Sequence, residues 1–363
     1  MYPIGANKNE LETPTLLLDL DVLEQNIKDM ADYFSNRPAS LRPHAKTHKT
    51  PIIAHKQLQA GAIGVCCQKL EEAEVMNAYG INSILITNQI VDPRKIRKLV
   101  AMSHHGEVIV ALDNLVVAKR TSDIALANQI KQDVVVEVNV GINRCGVEPG
   151  KSTLAFTRAL LDLEGLNFRG LLGYEGPFFN LTNFEERKQA TQARNQLLVQ
   201  TKELLEDASI DVDIVSGGAT GTYNITGNYP GITEVEAGSY VFMDTTYTKL
   251  EEMRFKCALT LLTTVISRPT SQRAVIEAGM KSITSEFGMP IVQGHPGAEL
   301  QRLSEEHGIL KLTDPNTTLK VGDTLELLPS HCCTTVNLHD HYYCIRNDEL
   351  ESVWTIMGRG KTR

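Results

Sequence analysis

From about residue 41 to 245, short aliphatic and β-branched runs alternate with amphipathic segments, and no other feature constrains the fold as tightly. The runs are 41–46 "LRPHAK", 62–67 "AIGVCC", 83–88 "SILITN", 108–113 "VIVALD", 134–140 "VVVEVNV", 168–174 "FRGLLGY", 212–217 "VDIVSG" and 234–241 "EVEAGSYV". Helical stretches such as 49–60, 69–79 and 183–207 lie between them, and the second stops at Gly80, a suitable C-terminal residue. Near-continuous Val/Ile/Leu strands alternating with helices predict a parallel sheet with its outer face covered. Eight such units close most naturally into a (β/α)8 barrel; a doubly wound open sheet is the rival.

"TPTLLLDL" (13–20) is an extra strand ahead of the first unit, and 21–34 sets Leu23, Ile27, Met30 and Phe34 on one helical face. After residue 245 the texture becomes β-rich, with runs such as "CALTLLTTVISRP" and "VGDTLELLP" broken by Gly, Pro and Asp. The expected division is a barrel at 12–245 and an all-β domain at 246–363, joined by 1–11. A net charge of -8 argues against nucleic acid as a partner. No apolar run approaches the ~20 residues of a membrane span. The opening "MYPIGANKNELETPT" has no apolar signal core, and 7 cysteines, including the pairs 66–67 and 332–333, make a poor disulfide framework. A cytoplasmic protein with reduced thiols is expected.

In such a barrel, chemistry sits where strands end and βα loops begin. Those positions supply Lys46, Gln68, Asn88, Asp113, Asn114, "GINRCG" (141–146), "YEG" (174–176), "SGGATGTY" (216–223) and "GSYVFMD" (238–244). Strand alternation puts Arg42, His44 and Lys46 on one face, opposite Leu41, Pro43 and Ala45, so the basic trio faces the barrel axis. Lys46 then stands at the mouth above cationic neighbours, where positive charge and desolvation favour a nucleophilic free amine. "SGGATGTY" follows a strand and offers backbone N–H groups and Thr hydroxyls of the kind that cradle phosphate, with "AGSY" a further donor source. Neither dinucleotide nor P-loop spacing is present. A reactive lysine beside one phosphate site points to pyridoxal phosphate. In "PSHCCTTVNLHDHYY", read as a strand, His331 and Cys333 face the same way and can chelate one ion, while Cys332 points elsewhere. Thiolate and imidazole favour zinc over magnesium. A core cysteine with a hydrogen-bonded histidine is the alternative, and His339, Asp340 and His341 form a second cluster or a turn.

With these residues in view, the chain resembles the D-threonine aldolase and D-serine dehydratase family of fold-type III pyridoxal phosphate enzymes, related to alanine racemase. The resemblance runs from "TPTLLLDL" through "RPHAKTHKTP", "SGGATGTY" and "AGSYVFMD" to "PSHCCTTVNLHD". It implies an N-terminal barrel, a C-terminal β domain and a homodimer. By position it implies Lys46 as the lysine that binds the cofactor covalently and as the catalytic base. Gln68, Arg144 and Tyr174 fall near the cofactor ring. Thr220, Gly221, Gly238, Ser239 and Tyr240 match the phosphate set, and His331 and Cys333 the metal ligands. Aldolase members typically carry "HCD" where this chain has "HCC", the pattern of the D-serine and D-3-hydroxyaspartate dehydratases. Thiolate favours zinc, whereas a carboxylate tolerates manganese or magnesium. The resemblance therefore implies a small β-hydroxy D-amino acid as substrate and dehydration as the reaction. Retro-aldol cleavage by the same parts is the main alternative; an amino-acid racemase or a non-catalytic cofactor carrier is more distant.

Overall fold

A computed structural model describes residues 4–176, 178–314 and 318–363. The chain forms two compact units, one of Met30–Lys46, Pro51–Gly238 and Lys361–Arg363, the other of the residues up to Asp29 with Thr47–Thr50 and Ser239–Gly360. In chain order, β1 (Thr15–Asp19) and α1 (Leu20–Phe34) come first. The barrel elements follow: β2 (Ser40–Leu41), α2 (Pro51–Gln59), β3 (Val65–Cys67), α3 (Leu70–Ala78), β4 (Ser83–Gln89), α4 (Pro93–Met102), β5 (Glu107–Leu112) and α5 (Leu115–Ala127). They continue with β6 (Gln132–Glu137), α6 (Lys151–Leu161), β7 (Leu166–Gly173), α7 (Phe184–Asp207), β8 (Ile214–Gly217), α8 (Tyr223–Thr226) and β9 (Glu234–Val235).

All eight barrel strands pair in parallel, in the order β2-β9-β8-β7-β6-β5-β4-β3. A bridge between His44 and Cys66 joins the two ends, with Ala45 N–H on Cys66 O at 2.8 Å and Cys66 N–H on Pro43 O at 2.9 Å. The sheet is therefore a closed (β/α)8 barrel, and the open-sheet rival falls. Cys66, Leu85, Ile109, Ala111, Val135, Leu172 and Ile214 form a buried apolar cluster from six of the strands. Strand β7 passes so close to β8 that a Cβ on Gly170, which has φ +148°, would lie 1.9 Å from Ile214 O. Only glycine fits there.

Two expected strands shrink to two residues each. Pro43 has no N–H to give, so regular pairing in 41–46 ends at Leu41; His44 makes one bridge and residues 45–48 turn. In 234–241 pairing stops at Val235, and Ser239–Val241 forms a 3-10 turn. The basic trio does have acidic company. Arg42 Nε and Nη2 donate to Glu234 at 2.9 and 2.8 Å, and Nη1 donates to Ser83 Oγ at 2.8 Å. The expected unbroken cationic field beneath Lys46 is thus corrected: its lower member is neutralised by a carboxylate from the neighbouring β9. Both partners are buried. Removing one leaves an uncompensated charge, so Glu234→Ala should lower the unfolding free energy by about 3–5 kcal/mol. Urea denaturation checks this, and the Arg42→Met/Glu234→Leu double variant should recover most of the loss.

The second unit adds β10 (Leu259–Thr270), β11 (Arg273–Ile276), β12 (Ile291–Val292), β13 (Ala298–Leu303), β14 (Gly308–Leu312), β15 (Thr324–Leu328), α9 (Cys332–Val336), β16 (His341–Arg346) and β17 (Glu349–Thr355). Its main path is β13-β14-β11-β10-β1-β16-β17, with β15 on β10 and β12 on β15. Strand β1 lies in its interior, antiparallel to β10 and parallel to β16. Residues 15–19 therefore belong to this sheet, a correction to the division at 12–245. The successive apolar side chains of "TLLLD" are covered on both faces, as an interior strand requires, and its partners Leu259–Leu262 and Tyr343–Ile345 fix which sheet it joins. Leu11, Leu17, Leu262, Ile345 and Leu350 pack as one core cluster. No described helix is long and apolar enough to cross a membrane.

Candidate functional site

Lys46 is half-buried in the turn that follows the His44 bridge, and its backbone N–H points to His44 Nδ1 at 3.4 Å. The other face of His44 meets β3 and β4: Nε2 lies 3.1 Å from Thr87 Oγ1 and 3.3 Å from Gln68 Oε1. Gln68 Nε2 in turn donates to Thr87 O at 3.2 Å. The expected ring residue Gln68 is thus fixed in orientation through the histidine two residues before Lys46.

Glu236, two residues beyond Glu234, is buried and accepts from Ser216 Oγ at 2.7 Å. Burial pushes its carboxyl up to about 7, against the pull of the Ser216 bond and of the Lys46 charge. It is a group able to hold or release a proton near neutral pH. The sequence reading missed it, although a signal exists. The "EVE" that begins at β9 alternates in step with the "RPHAK" that follows β2, so acids from one segment meet bases from its neighbour.

Arg144 is exposed, with its guanidinium 5.5 Å from the centre of the Tyr174 ring and Nη2 4.0 Å from Glu137 Oε1. These two expected ring residues do come together. The loop after β8 is clamped by Glu175, which the sequence placed on the rim within "YEG" but gave no role. This buried carboxylate accepts from Gly218 N–H at 2.9 Å, from Thr226 Oγ1 at 3.1 Å and from Thr222 Oγ1. Burial raises its proton affinity, and these bonds oppose that rise. Arg187, also buried, donates to Gly221 O at 2.9 Å. Gly218 has φ +84° and a Cβ there would lie 2.9 Å from Val235 Cγ1, so the loop closes tightly against β9. Among the described residues, the buried N–H groups of Gly221 and Gly238 have no acceptor. With the buried Thr220, they fit a phosphate group.

In the second unit the "HCC" segment is not a strand. His331 caps α9, and Cys332 and Cys333 form its first turn. Donor atoms of all three residues lie within 4.8 Å of one another, so Cys332 does not point away as expected. Helical rather than extended geometry brings consecutive side chains round the same end. Asp244, fully buried, faces His331 Nδ1 at 3.4 Å and accepts from Cys332 N–H at 3.2 Å, Thr246 N–H at 3.1 Å and Tyr247 N–H at 3.0 Å. Such a carboxylate fixes the imidazole tautomer and leaves Nε2 as the donor to a metal.

Thr47 Oγ1 lies 3.2 Å and Ser239 Oγ 3.8 Å from Cys333 Sγ. A bond from Cys332 holds the Cys333 thiol well below its usual range, helped by His331 and opposed by burial. Burial alone would lower His331, but Cys333 and Asp244 outweigh it and hold the imidazole up at about 10. Cys332 is pushed up by burial and remains a thiol. A thiolate and an imidazole oriented by a carboxylate fit zinc.

Asp244→Asn keeps the shape but loses the acceptor, and should weaken zinc binding about 10–100-fold in a competitive chelator titration. Of the expected phosphate set, Ser239 presents its hydroxyl to Cys333, and Tyr240 is buried with its ring 5.5 Å from Phe255. His339, Asp340 and His341, which the sequence left as a cluster or a turn, do not converge: His339 Nε2 meets Ser282 O at 2.7 Å and Asp340 pairs with Arg359.

Residues 18–246 match the family described as "Alanine racemase, N-terminal domain", and residues 258–345 match "Putative serine dehydratase domain". The sequence is 36% identical to the D-threonine aldolase of Arthrobacter sp, over 97% of this chain and 94% of the relative. It is 34% identical to the 3-hydroxy-D-aspartate aldolase of Paracoccus denitrificans, over 98% and 94%. It is 28% identical to the D-threo-3-hydroxyaspartate dehydratase of Delftia sp., over 95% and 97%. Among solved structures, a D-threonine aldolase from Filomicrobium marinum superposes with a TM-score of 0.97 at 34% identity, covering 100% of both chains. The Delftia dehydratase superposes with a TM-score of 0.87 at 29% identity, covering 96% of this chain and 98% of its own.

Proposed function

The chain belongs to the alanine racemase-like family of pyridoxal phosphate lyases that holds the D-threonine aldolases and D-serine dehydratases, and we propose that it removes water from β-hydroxy D-amino acids to give a 2-oxo acid and ammonia. The observation that carries this reading is a thiol, Cys333, set beside His331 with the buried Asp244 behind it. A solved D-threo-3-hydroxyaspartate dehydratase is described as a cysteine-to-alanine mutant in the metal-free form.

Lys46 would hold pyridoxal phosphate, with Gln68, Arg144 and Tyr174 about its ring and Thr220, Gly221 and Gly238 about its phosphate. When bound, that cofactor supplies an electron sink for the charge left on the α-carbon. His331 and Cys333 would hold a divalent ion, zinc by its donors, which supplies a Lewis acid for the departing hydroxyl. Lys46 Nζ removes the α-proton as general base. Glu236 sets a carboxyl near Lys46 whose charge changes around neutral pH. Asp244 keeps His331 in one tautomer, and Thr47, next to Lys46 in the chain, steadies the Cys333 sulfur. The substrate loses its α-proton and its β-hydroxyl as one water. A second water then hydrolyses the enamine to the 2-oxo acid and ammonia.

A second reading rests on identity: the aldolases stand at 36% and 34% against 28% for the Delftia dehydratase. The two readings part on products. Protein supplied with pyridoxal phosphate, zinc and D-serine, D-threonine or 3-hydroxy-D-aspartate should release ammonia and 2-oxo acid in equal amounts, without glycine. Glycine together with an aldehyde would make it an aldolase and overturn the dehydratase reading.

A further inference from the structure

The loop before β12 builds a wall against the metal-ligating turn. The Phe287 ring stands 4.7 Å from the His331 imidazole, centre to centre, with the planes at 53°. Its neighbour Glu286 accepts from Thr334 Oγ1 at 3.0 Å, one residue beyond Cys333. The loop is tied to the same turn at two further points: Thr284 N–H donates to Thr335 Oγ1 at 3.4 Å, and Ser330 Oγ donates to Thr284 O at 3.4 Å. Phe287 is therefore fixed against His331, and Glu286 on the turn that carries both ligands.

Resting on the function proposed above, we infer that this wall selects β-hydroxy D-amino acids whose β-substituent is neutral and apolar, and disfavours a β-carboxylate. The hydroxyl is the group drawn to His331 and Cys333, and the β-substituent hangs from the same carbon. Of the side chains packed on those two ligands, Thr47 and Ser239 lie on Cys333 and Phe287 on His331, and Phe287 supplies the apolar one that we place against the substituent. An aromatic face strips water from a carboxylate and returns no hydrogen bond, whereas a methyl or phenyl group gains apolar contact. The Glu286 carboxylate adds repulsion of like charge, weakened by its exposure. Phe287 carries the larger share. The methyl group alone is worth about 10–200-fold in an apolar pocket and a desolvated carboxylate is penalised besides, so D-threonine should exceed D-threo-3-hydroxyaspartate in kcat/KM by at least about tenfold.

Calorimetry supplies a readout apart from turnover. The probes are the α-methyl analogues of D-threonine and D-threo-3-hydroxyaspartate, which have no α-proton and so cannot be dehydrated, titrated into protein holding pyridoxal phosphate and zinc. The cell contents are assayed for the aldehyde or glyoxylate that retro-aldol cleavage would release. The threonine analogue should bind at least about tenfold tighter. Phe287→Ala should collapse that ratio and Phe287→Leu, which keeps an apolar wall, should preserve most of it. Glu286→Lys should raise affinity for the carboxylate analogue. Equal affinities, or tighter binding of the carboxylate analogue, overturn the inference and leave the product test of dehydration standing. If neither analogue binds and no β-hydroxy amino acid is consumed, the inference and the function beneath it both fall.

Discussion

Lys46→Ala protein should fold normally, lose at least about 10³-fold in turnover, and no longer hold pyridoxal phosphate in a form that borohydride traps on the chain. Folding is spared because Lys46 is half-buried in a turn, and the bond it shares with His44 Nδ1 comes from its backbone. The activity loss has two sources. A positioned general base contributes about 10²–10⁴-fold, and the covalent anchor is lost with it. Lys46→Arg should not restore turnover, because guanidinium stays protonated at any working pH. A small primary amine added to Lys46→Ala should restore part of the proton transfer but none of the borohydride-trapped mass. Steady-state rates and intact-mass measurement decide the matter. Retained turnover in Lys46→Ala would remove the lysine from the mechanism.

The sequence made the barrel legible because its parallel strands are covered on both faces and therefore read as unbroken apolar runs. The strands β3 to β8 all fall on runs recognised that way, although several are shorter in the structure. Regular pairing failed at Pro43, where one residue overrode the run, and after Val235, where the chain goes on into the 3-10 turn at Ser239–Val241. The extra strand β1 was visible as a strand, but its place in the second sheet depends on partners more than 200 residues away, and no local pattern encodes that.

The same limit applies at the site. Lys46, His331 and Cys333 are chemically distinctive side chains in short motifs. Glu234, Glu236 and Asp244 are ordinary carboxylates until the fold buries them, and burial is what makes a carboxylate a partner for Arg42 or His331. Cys332 was misplaced because a helix start and a strand send consecutive side chains in different directions. Asp244 stood within the polar rim segment "GSYVFMD", yet its partner His331 is 87 residues further on.

Cys333→Ala should lower turnover of β-hydroxy amino acids by about 10²–10⁴-fold, the several kcal/mol that a Lewis acid contributes at a departing oxygen. Pyridoxal phosphate should stay bound, since Lys46 and the Gly221 loop are untouched. Chelator treatment of the unaltered protein should match the alanine variant, and zinc should restore the former alone. Cys333→Asp separates the thiol's chemistry from the mere presence of an anionic ligand. A carboxylate keeps charge at the site but gives up the soft sulfur, so ion preference should move from zinc toward manganese and magnesium. The weaker Lewis acid is poorer at carrying off hydroxide than at binding a hydroxyl that stays on the fragment. Products should then shift from ammonia and 2-oxo acid toward glycine and aldehyde. Metal analysis and quantitation of all four products in one incubation give the answer. If Cys333→Asp changes the metal but leaves the product ratio where it was, the thiol selects the ion without selecting the reaction. Dehydration would then have to be assigned to the residues that hold the substrate.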